Sequence, residues 1–460
     1  MLQCPRMSFD LARVDSIVAV ATARGRAALA VVRVSGPAAF ALRDQLFRRR
    51  RSGVAAPSAL AVRGDVLDDD GSVIDDALCT SFIGPKTVTG EDLVEFSLHG
   101  GPVIADLVVA RLLRLGARAA EPGEFTLRAV LSGRIDLAAA EAVEAVVGAR
   151  TEAALKAAQR ALRGGLSTAV APARGVLIDV LAELEARLDF PDEPLGDADR
   201  AAMTSSLMAS SSALMALVKS AAAGRRLHDG ARVVLWGAPN AGKSTLLNAL
   251  VGHERALVHD EPGTTRDSLE VSIDIGGVPV IVVDVAGIRD DDGVHSVEAR
   301  GIARARAEVA RADVVVSLWP LDGPPPPPLP DGVADTATIV RVRSKADLIA
   351  HGAVDVAGVV DVMLTAIDGT GVQELLAVIA SHLIDADDDA PLVHTARQEQ
   401  ALRDSAAAID DARAALIACL PDEVVCSELR RAARGLDRLL GTETSADVLE
   451  AVFSRFCIGK

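Results

Sequence analysis

The spacing of apolar residues divides the chain into regions of different secondary structure. In the first 128 residues, short β-rich runs are separated by turn signals such as Asp70-Gly71, and such runs are typical of strands. From Ala129 to about Arg226 turn residues become rare and apolar residues recur at helical spacing, which predicts helices. The predicted strands of the first region are Ile17 to Ala21, Leu29 to Val34 and Leu93 to Leu98.

A different pattern begins at Ala231, where short apolar runs alternate with helical segments. Strands buried on both faces have this composition, so the pattern predicts a parallel α/β sheet. After about Asp385 the chain returns to alanine- and leucine-rich helical periodicity. The predicted strands are Val233 to Trp236, Val280 to Val283, Val314 to Leu318, Ile339 to Val342 and Val362 to Leu364.

These patterns predict a multidomain fold that combines the α+β and α/β classes. At 460 residues the chain is longer than one hydrophobic core usually serves. Helical character that stops at Arg226 and resumes near Ala390 favours an α/β domain inserted into a helical domain, with two separate helical units as the alternative. We place the domains at 1–128, 129–226, 227–385 and 386–460, the second and fourth being the two helical segments.

The net charge of −16 limits how this protein can bind nucleic acid. A protein that neutralises phosphates over a broad surface needs an excess of Lys and Arg, so any RNA contact must be local. Two arginine runs, Arg48 to Arg51 and Arg225-Arg226, are candidates. Ordinary solvated surface is the simpler explanation of both runs.

Cysteine usage and hydropathy bear on the location of the protein. The five cysteines show neither a C-x-x-C pair nor zinc-like spacing, which favours a reducing compartment. No run approaches the roughly 18 apolar residues of a membrane span, and the N-terminus lacks a signal-peptide pattern. We therefore expect a cytoplasmic protein without membrane contact.

The clearest functional motif lies between a predicted strand and a predicted helix. Residues Gly237 to Thr245 read G-A-P-N-A-G-K-S-T and match the P-loop pattern G-x-x-x-x-G-K-[ST]. In such a loop backbone N–H groups surround the phosphates, Lys243 reaches the β- and γ-phosphates, and Ser244 places its hydroxyl on Mg²⁺. A chance match is disfavoured because the chain contains only six lysines.

Two further segments follow in the order expected of a GTPase. Thr265 lies where a switch loop would carry a threonine to Mg²⁺ and the γ-phosphate. Asp284 and Gly287 belong to a D-x-x-G sequence at a strand end, where they can hold the Mg²⁺ hydration shell and sense the γ-phosphate. Val285 stands where such GTPases commonly have threonine, a departure that concerns switch geometry more than binding.

Guanine recognition is assigned to Ser344-Lys345-Ala346-Asp347, where the usual pattern is N-K-x-D. Asp347 would accept from the guanine N1–H and N2 amine, and the Lys345 stem would cover the ring. Asparagine normally braces the P-loop and touches the base, and Ser344 is too short for both. We therefore predict weaker nucleotide affinity with guanine preference retained. Thr365-Ala366-Ile367 resembles the fifth GTPase element, which usually begins Ser-Ala.

Motifs outside the GTPase elements resemble the bacterial tRNA-modification GTPase family MnmE, also called TrmE. The similarity extends along essentially the whole chain and includes T-G-E-D, H-G-G and P-G-E-F-T elements and a C-I-G-K ending. These motifs lie at Asp15 to Ala19, Thr89 to Asp92, His99 to Gly101, Pro122 to Thr126, Gly133 to Leu137 and Cys457 to Lys460.

This resemblance implies a folate-binding N-terminal domain, a helical domain made from two segments, and an inserted Ras-like GTPase domain. It also implies a homodimer that forms a heterotetramer-type complex with the FAD-containing partner MnmG. Together they would add a carboxymethylaminomethyl- or aminomethyl-type group at carbon 5 of the wobble uridine of certain tRNAs. A 5-formyltetrahydrofolate-type folate would supply the one-carbon unit.

The resemblance also assigns roles to individual residues. The folate contacts are Arg33, Glu95, Arg134 and Lys460, and Arg134 replaces the lysine usual in the family. Cys457 is a candidate for a role in the modification chemistry. Glu298 would orient the attacking water as the catalytic residue. The potassium ligands would be the Asn240 side chain and oxygens of His259, Glu261 and Thr264, whereas Ser244 and Thr265 would bind Mg²⁺.

The predicted GTP-binding residues fall in the five elements described above. They are Asn240, Ala241, Gly242, Lys243, Ser244, Thr245, His259, Asp260, Glu261, Pro262, Gly263, Thr264, Thr265, Asp284, Val285, Ala286, Gly287, Ser344, Lys345, Ala346, Asp347, Thr365, Ala366 and Ile367.

Two alternatives to a K⁺-stimulated tRNA-modifying GTPase stay open at this point. A ribosome-assembly GTPase would use turnover only to time its association with RNA, but it would need a basic RNA-binding domain that this acidic chain lacks. A degenerate member of the family would still dimerise and bind folate, while Ser344 and Val285 would have compromised its GTP turnover.

Overall fold

The computed structural model describes most of the chain. The described residues are 15–50, 59–190, 199–253, 270–284, 305–323, 325–330, 333, 337–347, 360–383, 392–443, 445–454 and 456–459. They form two compact units. The first contains the described residues up to Glu144, Leu166–Leu207 and those from Ala407 onward, and the second contains Ala145–Gly165 and the described part of Met208–Ala406.

The first unit begins with a seven-stranded sheet of order β3-β4-β5-β6-β2-β1-β7. Its pairs are antiparallel except for β1 and β7, which run parallel. The strands are β1 Ile17–Val20, β2 Leu29–Ser35, β3 Phe47–Arg49, β4 Ala61–Leu67, β5 Val73–Phe82, β6 Leu93–His99 and β7 Arg118–Ala119. The helices between them are α1 Ala39–Leu46 and α2 Pro102–Arg114, followed by α3 Glu124–Leu131.

The core of this unit lies between the sheet and helices α1 and α2. Strand residues such as Val32 and Phe96 are fully buried with Leu42 of α1 and Val108 of α2. Along β2, buried side chains alternate with less buried ones from Leu29 to Val34. The positions of β1, β2 and β6 confirm the predicted strands that begin at residues 17, 29 and 93.

Helices dominate the remaining parts of the chain that flank the second sheet. In chain order they are α4 Leu137–Gly148, α5 Glu152–Leu162, α6 Gly165–Asp189, α7 Arg200–Lys219 and α8 Ala221–Asp229. After the second sheet follow α11 Ala396–Ile417, α12 Asp422–Leu440 and α13 Ala446–Phe453. The predicted helical regions on both sides of the α/β segment are confirmed.

A small apolar cluster in the first unit fixes the end of the chain beside α3. Phe453 and Phe456 pack with Leu127 of α3 and Leu137 of α4. Gly123 precedes α3 with φ +69, and a Cβ at this position would come within 3.0 Å of atoms of Phe453 and Phe456. Only glycine fits both the left-handed backbone and this close approach.

The second unit is built around a six-stranded sheet of order β13-β12-β11-β8-β10-β9. All neighbouring strands are parallel except β9, which pairs antiparallel with β10. The elements are β8 Ala231–Gly237, α9 Lys243–His253, β9 Glu270–Ile275, β10 Val278–Asp284, β11 Val314–Pro320, β12 Thr338–Ser344, β13 Val362–Met363 and α10 Val372–Leu383. The predicted parallel α/β sheet is confirmed, with β9 as an edge strand that the sequence pattern did not reveal.

Two long helical stretches resemble membrane spans by length and composition, contrary to our expectation that no run comes near one. Gly165–Asp189 and Arg200–Asp229 contain 18-residue windows with mean hydropathy of 1.3 and 1.4. Core helices of soluble proteins pass the same test, so the observation is weak. Helix α6 also carries Arg174, which pairs with Asp437 at 2.9 Å.

Candidate nucleotide-binding site

The P-loop connects β8 directly to α9 at the carboxyl end of the parallel strands. Gly237 ends β8, and a Cβ there would lie 2.4 Å from the Leu318 carbonyl oxygen of β11, so glycine is required. Asn240 and Gly242 adopt positive φ angles of 61° and 93°. This backbone turns the chain into the N-terminus of α9, where free N–H groups and the helix dipole favour an anion.

Lys243 is buried at the start of α9, with 4% of its surface exposed. Its ammonium donates to the Gly237 and Ala238 carbonyl oxygens at 2.7 and 2.8 Å. Burial lowers the pKa of Lys243, while the nearby Asp284 carboxylate opposes this shift. The ammonium is thus held over the loop by bonds that a phosphate can replace.

Ser244 and Asp284 meet where the resemblance expects the Mg²⁺ site. The Ser244 hydroxyl donates to the Asp284 carboxylate at 2.6 Å, and Asp284 is fully buried at the end of β10. Hydroxyl and carboxylate oxygens are the ligand types that Mg²⁺ prefers. The structure therefore brings together two residues that are 40 positions apart in the sequence.

Ser344 braces the P-loop. Its hydroxyl donates to the Ala241 carbonyl oxygen at 2.8 Å, and both residues are buried. The expectation that serine is too short for this contact is wrong, because β12 ends close enough to the loop for a one-carbon side chain to reach it. The reduced affinity predicted from Ser344 now depends only on its contact with the base.

The loop assigned to guanine recognition is held by backbone bonds. The Ala346 N–H donates to the Leu364 carbonyl at 3.2 Å, and the Asp347 N–H donates to the Thr365 hydroxyl at 3.1 Å. The predicted fifth element thus supports the predicted fourth through Thr365. Ile367, in contrast, is 85% exposed.

Asp322 contacts this loop and was missed by sequence reasoning. Lys345 has a left-handed backbone with φ +60, and its ammonium contacts both Asp322 carboxylate oxygens at 2.9 and 3.0 Å. Asp322 follows β11, whose end lies beside β12 in the sheet. An acidic residue just after the neighbouring parallel strand was the only available signal.

Several predicted site residues lie outside the described residues, and their assignments stay predictions. They are His259, Asp260, Glu261, Pro262, Gly263, Thr264, Thr265, Val285, Ala286, Gly287, Glu298 and Lys460.

Arg33 and Glu95, two of the predicted folate contacts, form an ion pair in the first unit. They face each other across β2 and β6, and the Arg33 Nη2 atom lies 2.9 Å from the Glu95 carboxylate. Arg33 also donates to the Gly459 carbonyl at 3.4 Å and lies over the Phe125 ring at 5.6 Å. The chain end, β2 and α3 thus converge on one arginine.

The other described residues of this set lie in the same unit. Arg134 donates through Nε to the Thr87 carbonyl at 3.0 Å. Cys457 is exposed, and its carbonyl accepts from the Gly123 N–H at 3.4 Å. The structure therefore leaves the Cys457 thiol open to solvent.

A partly buried ionic cluster joins three of the quoted motif stretches through Arg118 and Arg128. Arg118 pairs with Asp15 at 2.7 Å and with Glu124 at 2.5 Å, and Arg128 pairs with Asp15, Glu91 and Glu124 at 2.6 to 3.1 Å. Burial alone would raise the pKa of Asp15 and of Glu124, but hydrogen bonds from the two arginines outweigh it and lower both. We call Asp15, Glu91, Arg118, Glu124 and Arg128 the motif cluster.

Two family models match the chain. A model described as the MnmE helical domain matches residues 137–457, and one described as the GTP-binding protein TrmE N-terminus matches residues 16–134. Together they span nearly all the residues whose motifs suggested the resemblance.

Curated relatives and solved structures are also similar. A tRNA modification GTPase MnmE from Methylobacterium radiotolerans is 43% identical over 97% of this chain and 99% of its own length. One from Salinibacter ruber is 41% identical over 97% and 99%. The G-domain of FeoB from Methanococcus jannaschii is 23% identical over 34% of this chain and 98% of its own, with a TM-score of 0.25 that supports no inference. The chain belongs to the MnmE family of tRNA modification GTPases and is a GTP hydrolase acting in tRNA modification.

Proposed function

We propose that this GTPase uses Mg²⁺ and K⁺ at the P-loop, and that its hydrolysis drives modification of the wobble uridine. The observation that carries the proposal is the joint placement of Lys243, Ser244 and Asp284 at the mouth of one loop. The buried ammonium would neutralise the β- and γ-phosphates. Ser244 and Asp284 would hold Mg²⁺ directly and through its hydration shell, with Thr265 as a further predicted ligand.

The P-loop asparagine supports the potassium part of this proposal. Asn240 holds a left-handed backbone inside the loop, with its amide oxygen available as a ligand for a monovalent cation. When bound, K⁺ supplies positive charge that stabilises charge developing between the phosphates. We retain Glu298 as the residue that orients the attacking water, and His259, Glu261 and Thr264 as further potassium ligands.

The folate part of the proposal rests on Arg33, Glu95 and Arg134, with Lys460 as a predicted fourth contact. The partly exposed Arg33 and Glu95 pair offers donors and an acceptor to a polar ligand. We propose that a 5-formyltetrahydrofolate-type folate supplies the one-carbon unit there. We further propose that the protein is a cytoplasmic homodimer that works with the FAD-containing MnmG.

The first test compares GTP hydrolysis in KCl and NaCl at equal ionic strength. We expect faster hydrolysis in KCl and equal, slow rates in both salts for Asn240→Ala. Equal rates of the unchanged protein in the two salts would contradict the potassium proposal. Absence of hydrolysis in both salts would support the alternative hypothesis of a degenerate family member that has lost GTP turnover.

A separate calorimetric titration with 5-formyltetrahydrofolate tests the folate proposal. Glu95→Gln should weaken binding, whereas Glu121→Gln, a change of the same kind at another position of this unit, should leave it unchanged. Binding that is unaffected by Glu95→Gln would remove this site from consideration.

A further inference from the structure

A tRNA substrate is a polyanion, so an acidic chain must meet it through a local group of cations that partly buried carboxylates have not already paired. The arginine runs singled out in the sequence do not meet this condition. Arg48 and Arg50 pair with Asp65 at 3.5 and 2.7 Å, and Arg50 also pairs with Asp76 at 3.2 Å. Arg48 and Arg50 are thus paired surface charges, and Arg51 lies outside the described residues.

The pair Arg225 and Arg226 is likewise engaged inside the second unit. Arg225 pairs with Glu399. Arg226 contacts Asp313 at 3.3 Å and donates to the Leu383 carbonyl at 3.2 Å. These contacts tie α8 to the sheet and to α10, so we assign both arginines a structural role.

Helix α5 presents a different surface. Its N-cap is Thr151, whose hydroxyl accepts from the Ala154 N–H at 3.2 Å. Its buried side consists of small residues, and a Cβ on Gly277 of the β9–β10 turn would lie 3.2 Å from Ala153. The buried residues are Ala154, Ala157, Ala158 and Ala161. One side of α5 is therefore packed within the second unit, and the opposite side is exposed.

The exposed side of α5 and its flanks are basic. From residue 150 to residue 163 there are four cations and one acid, a net charge of 4 − 1 = +3, within a chain whose net charge is −16. All four cations are exposed. Spacings of four and seven residues place Lys156, Arg160 and Arg163 on one helix face. Arg160 already has an interaction within the protein, so we leave it out and call Arg150, Lys156 and Arg163 the α5 basic face.

Among the described residues, little competes for the charge of the α5 basic face. Glu152 pairs with Lys156 at 2.7 Å, but the two side chains are 80% and 69% exposed, and an exposed pair of this kind is weak. Within the described part of the chain, Arg150 and Arg163 pair with no acidic side chain. A phosphate could therefore bind the α5 basic face without breaking a buried interaction.

Helix α12 provides a contrast among the described helices. It carries four arginines and four acids, so its net charge is zero. Arg430 pairs with Glu185 at 2.6 Å, and Arg431 pairs with Asp411 at 2.5 Å and with Glu428 at 2.8 Å. A row of arginines is thus insufficient for phosphate binding when neighbouring carboxylates neutralise its charge.

We propose that the α5 basic face binds the phosphate backbone of the tRNA substrate. At about 1.5 Å rise per residue, Lys156 to Arg163 span about 10 Å, which is enough to meet several phosphates of a polynucleotide. Cations that contact phosphates fix the position of the RNA without reading its bases. This surface therefore positions the tRNA, and base recognition takes place elsewhere.

The test measures the affinity of the full-length protein for an unmodified tRNA transcript as a function of KCl concentration. The variant Arg150→Gln/Lys156→Gln/Arg163→Gln should bind at least about tenfold more weakly at low salt, and the slope of log K against log salt should fall by about three. GTP hydrolysis without tRNA should be unchanged, because none of these residues touches the P-loop.

The matched control is Arg430→Gln/Arg431→Gln/Arg434→Gln, which removes the same charge from exposed positions of α12. We expect this variant to bind tRNA like the unchanged protein. An equal loss in both variants, no loss in the α5 variant, or tRNA binding by the unchanged protein that does not depend on salt would overturn the proposal. If the triple α5 variant does not fold, Arg163→Gln alone should lower the slope by about one.

Discussion

The nucleotide site and the motif cluster are both built from residues of recognisable motifs, yet their polar groups have different partners. In the nucleotide site, the Lys243 ammonium contacts two backbone carbonyls and the Ser244 hydroxyl contacts one carboxylate. In the motif cluster, two arginines and three carboxylates satisfy one another. At these two places, the residues whose partners can be replaced form the ligand site, whereas the residues that pair ionically with one another form part of the scaffold.

The largest effect that this comparison predicts follows from Lys243→Ala. Removing the ammonium takes away charge stabilisation at the phosphates, so kcat for GTP hydrolysis should fall on the order of 10²- to 10³-fold. Stability should fall less than hydrolysis, because the ammonium contacts two loop carbonyls and the nearby Asp284 carboxylate keeps its hydrogen bond from Ser244. Steady-state phosphate release measures kcat, and urea unfolding measures the free energy of unfolding.

Lys219→Ala is the control for this change, since Lys219 is an exposed lysine at the end of α7. It should alter neither hydrolysis nor the free energy of unfolding. A loss of stability as large as the loss of activity in Lys243→Ala would place Lys243 with the scaffold instead.

Arg128→Gln, in the motif cluster, should lower stability and leave GTP hydrolysis unchanged, the reverse of Lys243→Ala. It removes one partner of a partly buried network and leaves three carboxylates with less positive charge, which should cost about 2 kcal/mol in the free energy of unfolding. GTP hydrolysis per folded molecule should be unchanged. The exposed pairs of Arg114 with Asp68 and Asp69 provide the control, because Arg114→Gln should cost less than about 1 kcal/mol.

The motif cluster also predicts how stability depends on acid. The pKa values of Asp15 and Glu124 are lowered in the folded protein, so their contribution is present above the ordinary carboxyl pKa and is lost as pH falls through the folded values. The free energy of unfolding should therefore decrease below about pH 4. This decrease should be smaller in Arg128→Gln, and an identical acid profile in both proteins would contradict the cluster's role.

Some strands were predicted well because most of their residues are buried, which gives continuous apolar runs in the sequence. Strands β8, β10 and β11 lie inside a parallel sheet, and their apolar runs can be read directly. Strands β4 and β5 were not identified, because they mix polar and apolar residues and β4 contains Gly64. A Cβ at Gly64 would lie 2.4 Å from the Phe47 ring, so this glycine is explained by a tertiary contact that no local pattern contains.

In the candidate site, too, contacts that depend on tertiary structure could not be predicted from the sequence. The P-loop and its flanks follow from a contiguous motif, so Lys243 and Ser244 could be assigned in advance. The Ser344 contact with Ala241 and the Asp322 contact with Lys345 depend on where β11 and β12 end relative to the loop. Side-chain length alone gave the wrong answer for Ser344, because the distance it had to bridge is set by the sheet.

A smaller effect is expected from substitutions of Ser344, whose hydroxyl contacts the P-loop at the nucleotide site. Ser344→Ala leaves the buried Ala241 carbonyl without the hydroxyl that contacts it, so the dissociation constant for GDP should rise about two- to tenfold. Ser344→Asn should lower it, because the longer side chain could brace the loop and touch the base. Preference for GDP over ADP should persist in both variants, since it is assigned to Asp347. Equal affinity of all three proteins would contradict the brace.

The smallest expected effect concerns His99, an exposed residue at the end of β6. Its ring lies 2.7 Å from the buried Asp75 carboxylate, and this hydrogen bond raises the pKa of His99 above its ordinary value of 6.5. A raised pKa means that the pair stabilises the fold fully below that ordinary value and loses its effect as pH rises through the folded pKa. Asp75→Asn should return the His99 titration midpoint, followed by NMR, towards 6.5. An unmoved midpoint would show that Asp75 does not pair with His99 in solution.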